Sequence, residues 1–130
     1  MRRRRPRPRR PAPTRRVDLA PGSAHDRGTA DKRVGLGEVA RWVQSGMRVG
    51  VGGGPLTVTP TALIREVIRS GARDLHLVAS STGGFGIDLL IGAGRAASVE
   101  FAQIVLNEFG PAPNFRRWAE GGRLRCHDPS

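Results

Sequence analysis

Met47-Arg48-Val49-Gly50-Val51-Gly52-Gly53-Gly54-Pro55 opens a run that continues through Thr59-Pro60 into an apolar helical pattern. Its first half is apolar and reads as a buried strand, Met47 to Val51, without polar alternation, as expected of a strand covered on both faces. Its second half is a glycine-rich turn. A strand that passes through such a turn into a helix is where α/β folds bring backbone amides close to an anionic ligand. The run therefore gives a fold class and a ligand-facing edge, but no reaction.

Working outward, the same alternation repeats. Upstream, Leu36, Val39, Ala40 and Val43 fall at i, i+3, i+4 and i+7, one face of a short helix that Gly46 closes. Downstream, Thr59 reads as an N-cap and Pro60 as a first helical residue, with Leu63, Ile64, Val67 and Ile68 as the buried stripe and Gly71 as the stop. Asp74 to Ala79 supplies a second strand. The loop Ser80-Ser81-Thr82-Gly83-Gly84 leads into a second short helix carrying Ile87, Leu89, Leu90 and Ile91. A third strand falls within residues 97–105. Asn114 then caps a helix running to Gly121-Gly122, and Leu124-Arg125-Cys126 begins a fourth strand. No internal repeat is present.

Strand and helix in alternation predict an α/β fold with an open, mostly parallel sheet and flanking helices. The fourth strand barely starts before the sequence stops, so the expectation is a C-terminally incomplete domain with an exposed edge and an exposed apolar face. Such a chain is expected to depend on a partner for solubility.

The net charge of +11 over 130 residues suggests nucleic acid at first sight. Its distribution argues otherwise. Residues 1–33 hold 12 Lys/Arg against 3 Asp/Glu, whereas residues 34–130 hold 10 against 8. The basicity belongs to an Arg/Pro-rich tail, residues 1–33, that lacks apolar periodicity and is expected to be disordered. Two readings of it stand side by side: a polyanion-binding arm, and a passive extension of the reading frame. No aromatic residue interleaves with its arginines to stack on bases, which favours the second. Residues 34–130 form the folding domain. Cys126 is the only cysteine, so neither an intrachain disulfide nor a multi-cysteine metal site is available. No run is long and apolar enough to span a bilayer, and the tail lacks the apolar core of a secretory signal. A cytoplasmic protein without membrane association is the expectation.

Gly50-Val51-Gly52-Gly53-Gly54-Pro55 partly imitates the dinucleotide-binding fingerprint, but Pro55 occupies its third glycine position. Ser80 and Ser81 stand where that fingerprint wants an acidic residue for the ribose. A different pattern fits better. Ser45-Gly46-x-x-Val49-Gly50-Val51-Gly52-Gly53-x6-Pro60 resembles the N-terminal signature of the family I coenzyme A transferases, whose first subunit opens with a strand, a Gly-Gly turn and a proline-started helix. The resemblance continues through Ser70-Gly71-x-x-Asp74-Leu75-x-Leu77-Val78 and Gly86-Ile87-x-x-Leu90-x-x-x-Gly94. It ends in Gly110-Pro111-Ala112-Pro113-Asn114-Phe115-Arg116-Arg117-Trp118-Ala119-Glu120-x-Gly122. It covers about residues 32–130 and is closest to the glutaconate and 3-oxoacid type α subunits. Ser45 replaces the usual Asp or Asn, Gly54 the usual Phe, and Val58 stands where a glycine is common. These departures bear on acyl specificity more than on fold.

The resemblance implies a ping-pong transfer of CoA between an acyl-CoA and a small carboxylic acid, through a glutamyl-CoA thioester. It also implies that the attacking glutamate sits in a β subunit, inside a motif absent here. Coenzyme A is then a substrate, with no permanently bound cofactor, and no catalytic residue is assigned to this chain. Glu38, Glu66 and Glu120 fall on helices; Glu100 and Glu108 lie nearer the sheet edge but match no nucleophile motif. The chain's expected contribution is a wall of the active site: Gly52, Gly53 and Gly54 after the first strand, Ser80, Ser81, Thr82 and Gly83 after the second, and Gly110 after the third. The alternative is a non-catalytic remnant of the fold that binds a partner. His127, Asp128 and Ser130 crowd together in sequence, but such adjacency is no sign of a hydrolase triad. His25 and His76 have no partner pattern, so no metal site is expected.

Overall fold

A computed structural model describes residues 33–80 and 82–128. The expected disorder of residues 1–33 therefore lies outside the described residues save for Arg33, and so do Ser81 and Ser130. The elements run α1 (Leu36–Arg41), β1 (Arg48–Val51), α2 (Thr61–Ser70), β2 (Leu75–Ala79), β3 (Thr82–Gly83), α3 (Phe85–Gly92), β4 (Ala96–Glu100), β5 (Gln103–Ile104), a 3-10 turn (Asn107–Phe109), α4 (Pro113–Glu120) and β6 (Arg125–His127). β1, β2, β4 and β6 form one sheet in that order, every neighbouring pair parallel. The first three strands predicted from sequence do lie side by side.

Register explains which residues are buried. One row across the sheet is Val49, Leu77, Val99 and Cys126. Leu77 and Val99 are fully buried, in one cluster with Ile64 and Val67 of α2 and Ile87, Leu90 and Ile91 of α3. Each fully buried Leu, Ile or Val contributes about 1.5–3 kcal/mol. The alternate row is Arg48, His76, Ser98 and Arg125, followed by Gly50, Val78, Glu100 and His127. Among these only Ser98 is buried. Among the described residues, helices thus cover one face alone.

Two expectations fail here together. β1 is not covered on both faces, because it is an edge strand whose residues alternate between exposed and half-buried. Nor is the open face apolar: Arg48 pairs with Glu100, and His76 Nδ1 lies 2.8 Å from Ser98 Oγ. His76 thus has a partner that no sequence pattern showed.

Smaller corrections follow the same logic. Leu36 leaves the predicted stripe of α1 and is 48% exposed, because that helix begins with it and packs through Ala40. Thr59 does not cap α2: Pro60 takes the N-cap position, and the Thr59 hydroxyl turns back toward the Gly54 and Thr57 carbonyls. Gly71, in the left-handed region at φ 83, ends α2 as expected. The predicted third strand is two, with a break at Phe101 and Ala102, and the loop before α3 holds the short β3 that pairs with β5. Asn114 is not the cap of α4, which begins after Ala112. Asp88 of α3 fills that role from outside, its Oδ1 accepting the Phe115 N–H at 2.8 Å and its Oδ2 an Asn114 Nδ2 proton at 2.9 Å.

Candidate functional site at the carboxyl end of the sheet

Three loops meet where β1, β2 and β4 end, and backbone hydrogen bonds lace them together. Phe85 N–H donates to the Pro55 carbonyl at 2.8 Å, joining the first two loops, and Val105 N–H to the Gly83 carbonyl at 3.0 Å, joining the second and third; within the third, Leu106 N–H donates to the Gly110 carbonyl at 2.8 Å. The rim is thus one connected surface rather than three independent turns. The glycine corner sits on it. Gly53 adopts φ 111, and a Cβ there would lie 2.7 Å from the Val58 carbonyl oxygen, so both conformation and space demand glycine. The Gly54 N–H donates to the Thr57 carbonyl at 2.8 Å, closing the turn on itself. Gly52 is exposed beside them.

The other sequence-chosen residues divide. Ser80 is exposed at the end of β2, and Ser81 lies outside the described residues. Thr82 Oγ1 accepts a hydrogen bond from Gln103 Nε2 at 2.9 Å, tying β3 to β5. Gly83 is buried, its α-carbon facing Ile104, Ala79 and Ile87, so its role is packing. Gly110 turns the chain back at φ 77 and lies half-buried on the rim. Sequence reasoning missed Gly84, where the first and second loops touch most closely. A Cβ there would fall 2.2 Å from the Pro55 α-carbon.

Val58 gives the sequence departure a physical meaning. It holds φ 55 and is 89% exposed, so a β-branched residue occupies a left-handed position with almost no packing in return. That backbone is why glycine suits the position. Val58→Gly is expected to stabilise the chain by about 1 kcal/mol, the relieved strain exceeding the entropy added to the unfolded chain. An unchanged or lowered urea midpoint would contradict this.

The glutamates are sorted by geometry. Glu66 pairs with Arg69 on α2 and Glu120 with Arg116 on α4, the latter raising the Arg116 pKa through its hydrogen bond and charge. Glu100 is held by Arg48 on the open face of the sheet, within a trough of about 430 Å³ that His76, Ser98 and His127 also line. Only Glu108, exposed on the 3-10 turn, stands on the rim. Cys126 lies on edge strand β6, where desolvation pushes its thiol pKa up and makes it a poor nucleophile at neutral pH. Among the described residues no cluster of three His, Cys, Asp or Glu could hold a metal, and no helix is long and apolar enough to cross a membrane.

Residues 37–127 match the family model described as coenzyme A transferase. The chain belongs to the coenzyme A transferase family. Within it, the chain is 33% identical over 88 residues to the cholesterol ring-cleaving hydrolase IpdA subunit of Rhodococcus jostii, covering 68% of this chain and 28% of that protein. It is 32% identical over 93 residues to one subunit of the glutaconate CoA-transferase of Acidaminococcus fermentans, covering 71% and 29%. The solved structure of that glutaconate coenzyme A-transferase superimposes with a TM-score of 0.68 at 29% identity, over 77% of this chain and 32% of the other. The decarboxylase AibA/AibB superimposes with a TM-score of 0.67 at 28% identity, over 75% and 38%. The chain thus spans less than a third of the length of these curated relatives. Their names describe a hydrolase, a transferase and a decarboxylase, so family membership supplies the subunit type and the fold without choosing the chemistry.

Proposed function

We propose that this chain is an α-type subunit that forms one wall of a cytoplasmic CoA-transferase active site. Acyl-CoA and a small carboxylic acid exchange CoA there, through a glutamyl-CoA thioester carried by a β subunit. The observation that carries this reading is the laced rim: a glycine corner at the end of β1, joined to the loops after β2 and β4, with no base–nucleophile pair among its described residues. With the Gly54 N–H already bonded to the Thr57 carbonyl, the Gly52 and Gly53 amides are the corner donors that would suit an acyl oxygen or a carboxylate on which charge develops. The carboxylate attacks the thioester carbonyl and expels CoA thiolate, leaving a mixed anhydride. The thiolate then attacks the glutamyl carbonyl, and the acid departs as the glutamyl-CoA thioester forms.

The test mixes the full chain with its glutamate-bearing β-type partner and measures exchange of CoA between thioester and free acid. Exchange is expected only in the mixture, with the CoA adduct found by mass spectrometry on the β subunit. A stable complex without exchange would favour the alternative, a non-catalytic partner-binding remnant.

Glu108 makes the assignment sharper, because it is the rim's own carboxylate. Glu108→Gln is expected to keep the exchange rate of the complex within about threefold. A nucleophile loses activity by factors of the order of 10⁴ when its reacting group is removed. A collapse of that size in Glu108→Gln would move the nucleophile into this chain.

A further inference from the structure

We infer that the acyl group received at this rim is bulky and apolar, a branched, alicyclic or aromatic acyl thioester rather than a short dicarboxylic one. The inference rests on the reading of the rim as a thioester-handling surface and adds the class of substrate.

Charge supplies the first argument. Residues 52–60, 80–85 and 101–112, which build the three loops, contain no Lys, Arg or His, and Glu108 is their single charged residue. His127, at the same end of β6, registers with Glu100 and lines the trough on the open face instead. A second carboxylate on the acyl group would meet no cation from these loops, and the one charge they carry, Glu108, would repel it. Desolvating an unpaired carboxylate is costly, so the loops select against a diacid.

Apolar exposure supplies the second argument. Seven large hydrophobic residues are exposed among the described residues, and four of them stand on this rim: Leu56, Val58, Phe85 and Phe109. The Phe85–Pro55 backbone bond places Phe85 beside the loop that carries Leu56 and Val58. Exposed apolar groups gathered at one functional edge mark a binding surface more often than scattered ones do.

A cavity supplies the third. About 100 Å³ of space lies between β1 and α2, and its lining includes Gly52 of the corner with Val49, Val51, Pro60, Leu63 and Ile64. No lining residue carries a charge or a polar side chain. Apolar cavities of this order stay dry and accept small hydrocarbon groups. The cavity meets the corner at Gly52 and runs beneath α2 along β1 as far as Val43 and Leu75, so the space next to the corner is apolar throughout.

The experiment uses the full chain, alone and in complex with the β-type subunit, and three probes: CoA, cyclohexanecarbonyl-CoA and glutaryl-CoA, each titrated by calorimetry. Cyclohexanecarbonyl-CoA is expected to bind at least about tenfold more tightly than glutaryl-CoA, since apolar pockets discriminate by such factors per methylene. Equal affinities, or tighter glutaryl-CoA binding, would overturn the substrate class while leaving the thioester reading intact. Failure of all three probes to bind the complex would overturn the thioester reading and this inference with it. Phe109→Arg provides the second measurement. Phe109 is 72% exposed, so the fold tolerates the change, which circular dichroism verifies. Supplying the missing cation is expected to narrow the preference by raising glutaryl-CoA affinity. An unchanged ratio would mean that the rim does not set specificity.

Discussion

Gly84→Ala is expected to destabilise the chain by about 3 kcal/mol or more and to abolish exchange in the reconstituted complex. A Cβ at this position would lie 2.2 Å from the Pro55 α-carbon, 2.3 Å from its carbonyl oxygen and 2.6 Å from its carbonyl carbon. All three are backbone atoms, so no rotamer change relieves the contact. The loop after β1 must move away, and that movement breaks the Phe85–Pro55 hydrogen bond that fastens it to the start of α3. The glycine corner would then lose its fixed position relative to the second loop. Gly86→Ala is the control on the same helix. Its Cβ would meet Ile64 Cδ1 and Thr59 Cγ2 at 2.7 Å, and both are side-chain ends that can rotate away. Part of that strain is offset by alanine's higher helix propensity, so the loss is expected to stay near 1–2 kcal/mol. Urea melts of both variants test the ranking. A Gly84→Ala protein with a wild-type midpoint would show that the loops are not locked as described.

How much of this was legible in the sequence follows from the range over which each feature is determined. The main strands and helices were readable because local periodicity carries them: Leu63, Ile64, Val67 and Ile68 on one helix face, and Leu75 and Leu77 on one strand face. The glycine corner was readable because a strand, a glycine run and a helix follow one another directly. β3 and β5 were not, since a two-residue strand has no period to detect. The open polar face was hidden for a related reason. Arg48, His76 and Ser98 each interrupt an apolar strand once, and they form a row only when the strands are laid in register. Read singly, Arg48 marks only the beginning of β1. Gly84 shows the limit most clearly, because what it requires is set by Pro55, distant in sequence and adjacent in space. Val58 was noticed as a departure, and its meaning came only with its backbone angle.

Asp88→Ala is the second large expected effect, with a loss of about 3 kcal/mol and a fall in melting temperature of roughly 15 °C. Asp88 is only 4% exposed and sits within an apolar stretch, Ile87 to Ile91, where sequence offers no role for it. Its two oxygens accept from the Phe115 N–H and the Asn114 side chain, so a residue of α3 satisfies the open amino end of α4. Gly92, one turn further along α3, lets that end approach: a Cβ there would lie 2.6 Å from the Asn114 side chain. Asn114 in turn accepts from Arg117 at 2.5 Å through Oδ1, so its amide orientation is fixed by both partners. Removing the carboxylate leaves the Phe115 N–H without its acceptor and unties α3 from α4. Asp88→Asn separates the two bonds. Its amide oxygen can still accept the Phe115 N–H, but its NH₂ group faces the NH₂ group of Asn114, and turning Asn114 around would cost the Arg117 contact. The asparagine variant is therefore expected to fall between wild type and alanine, retaining roughly half of the loss. Hydrogen exchange at Phe115 gives a local readout, fast in Asp88→Ala and still protected in Asp88→Asn. If the two variants melted together, or if Phe115 exchanged equally in both, the carboxylate would not be what holds α4 to the sheet's helical layer.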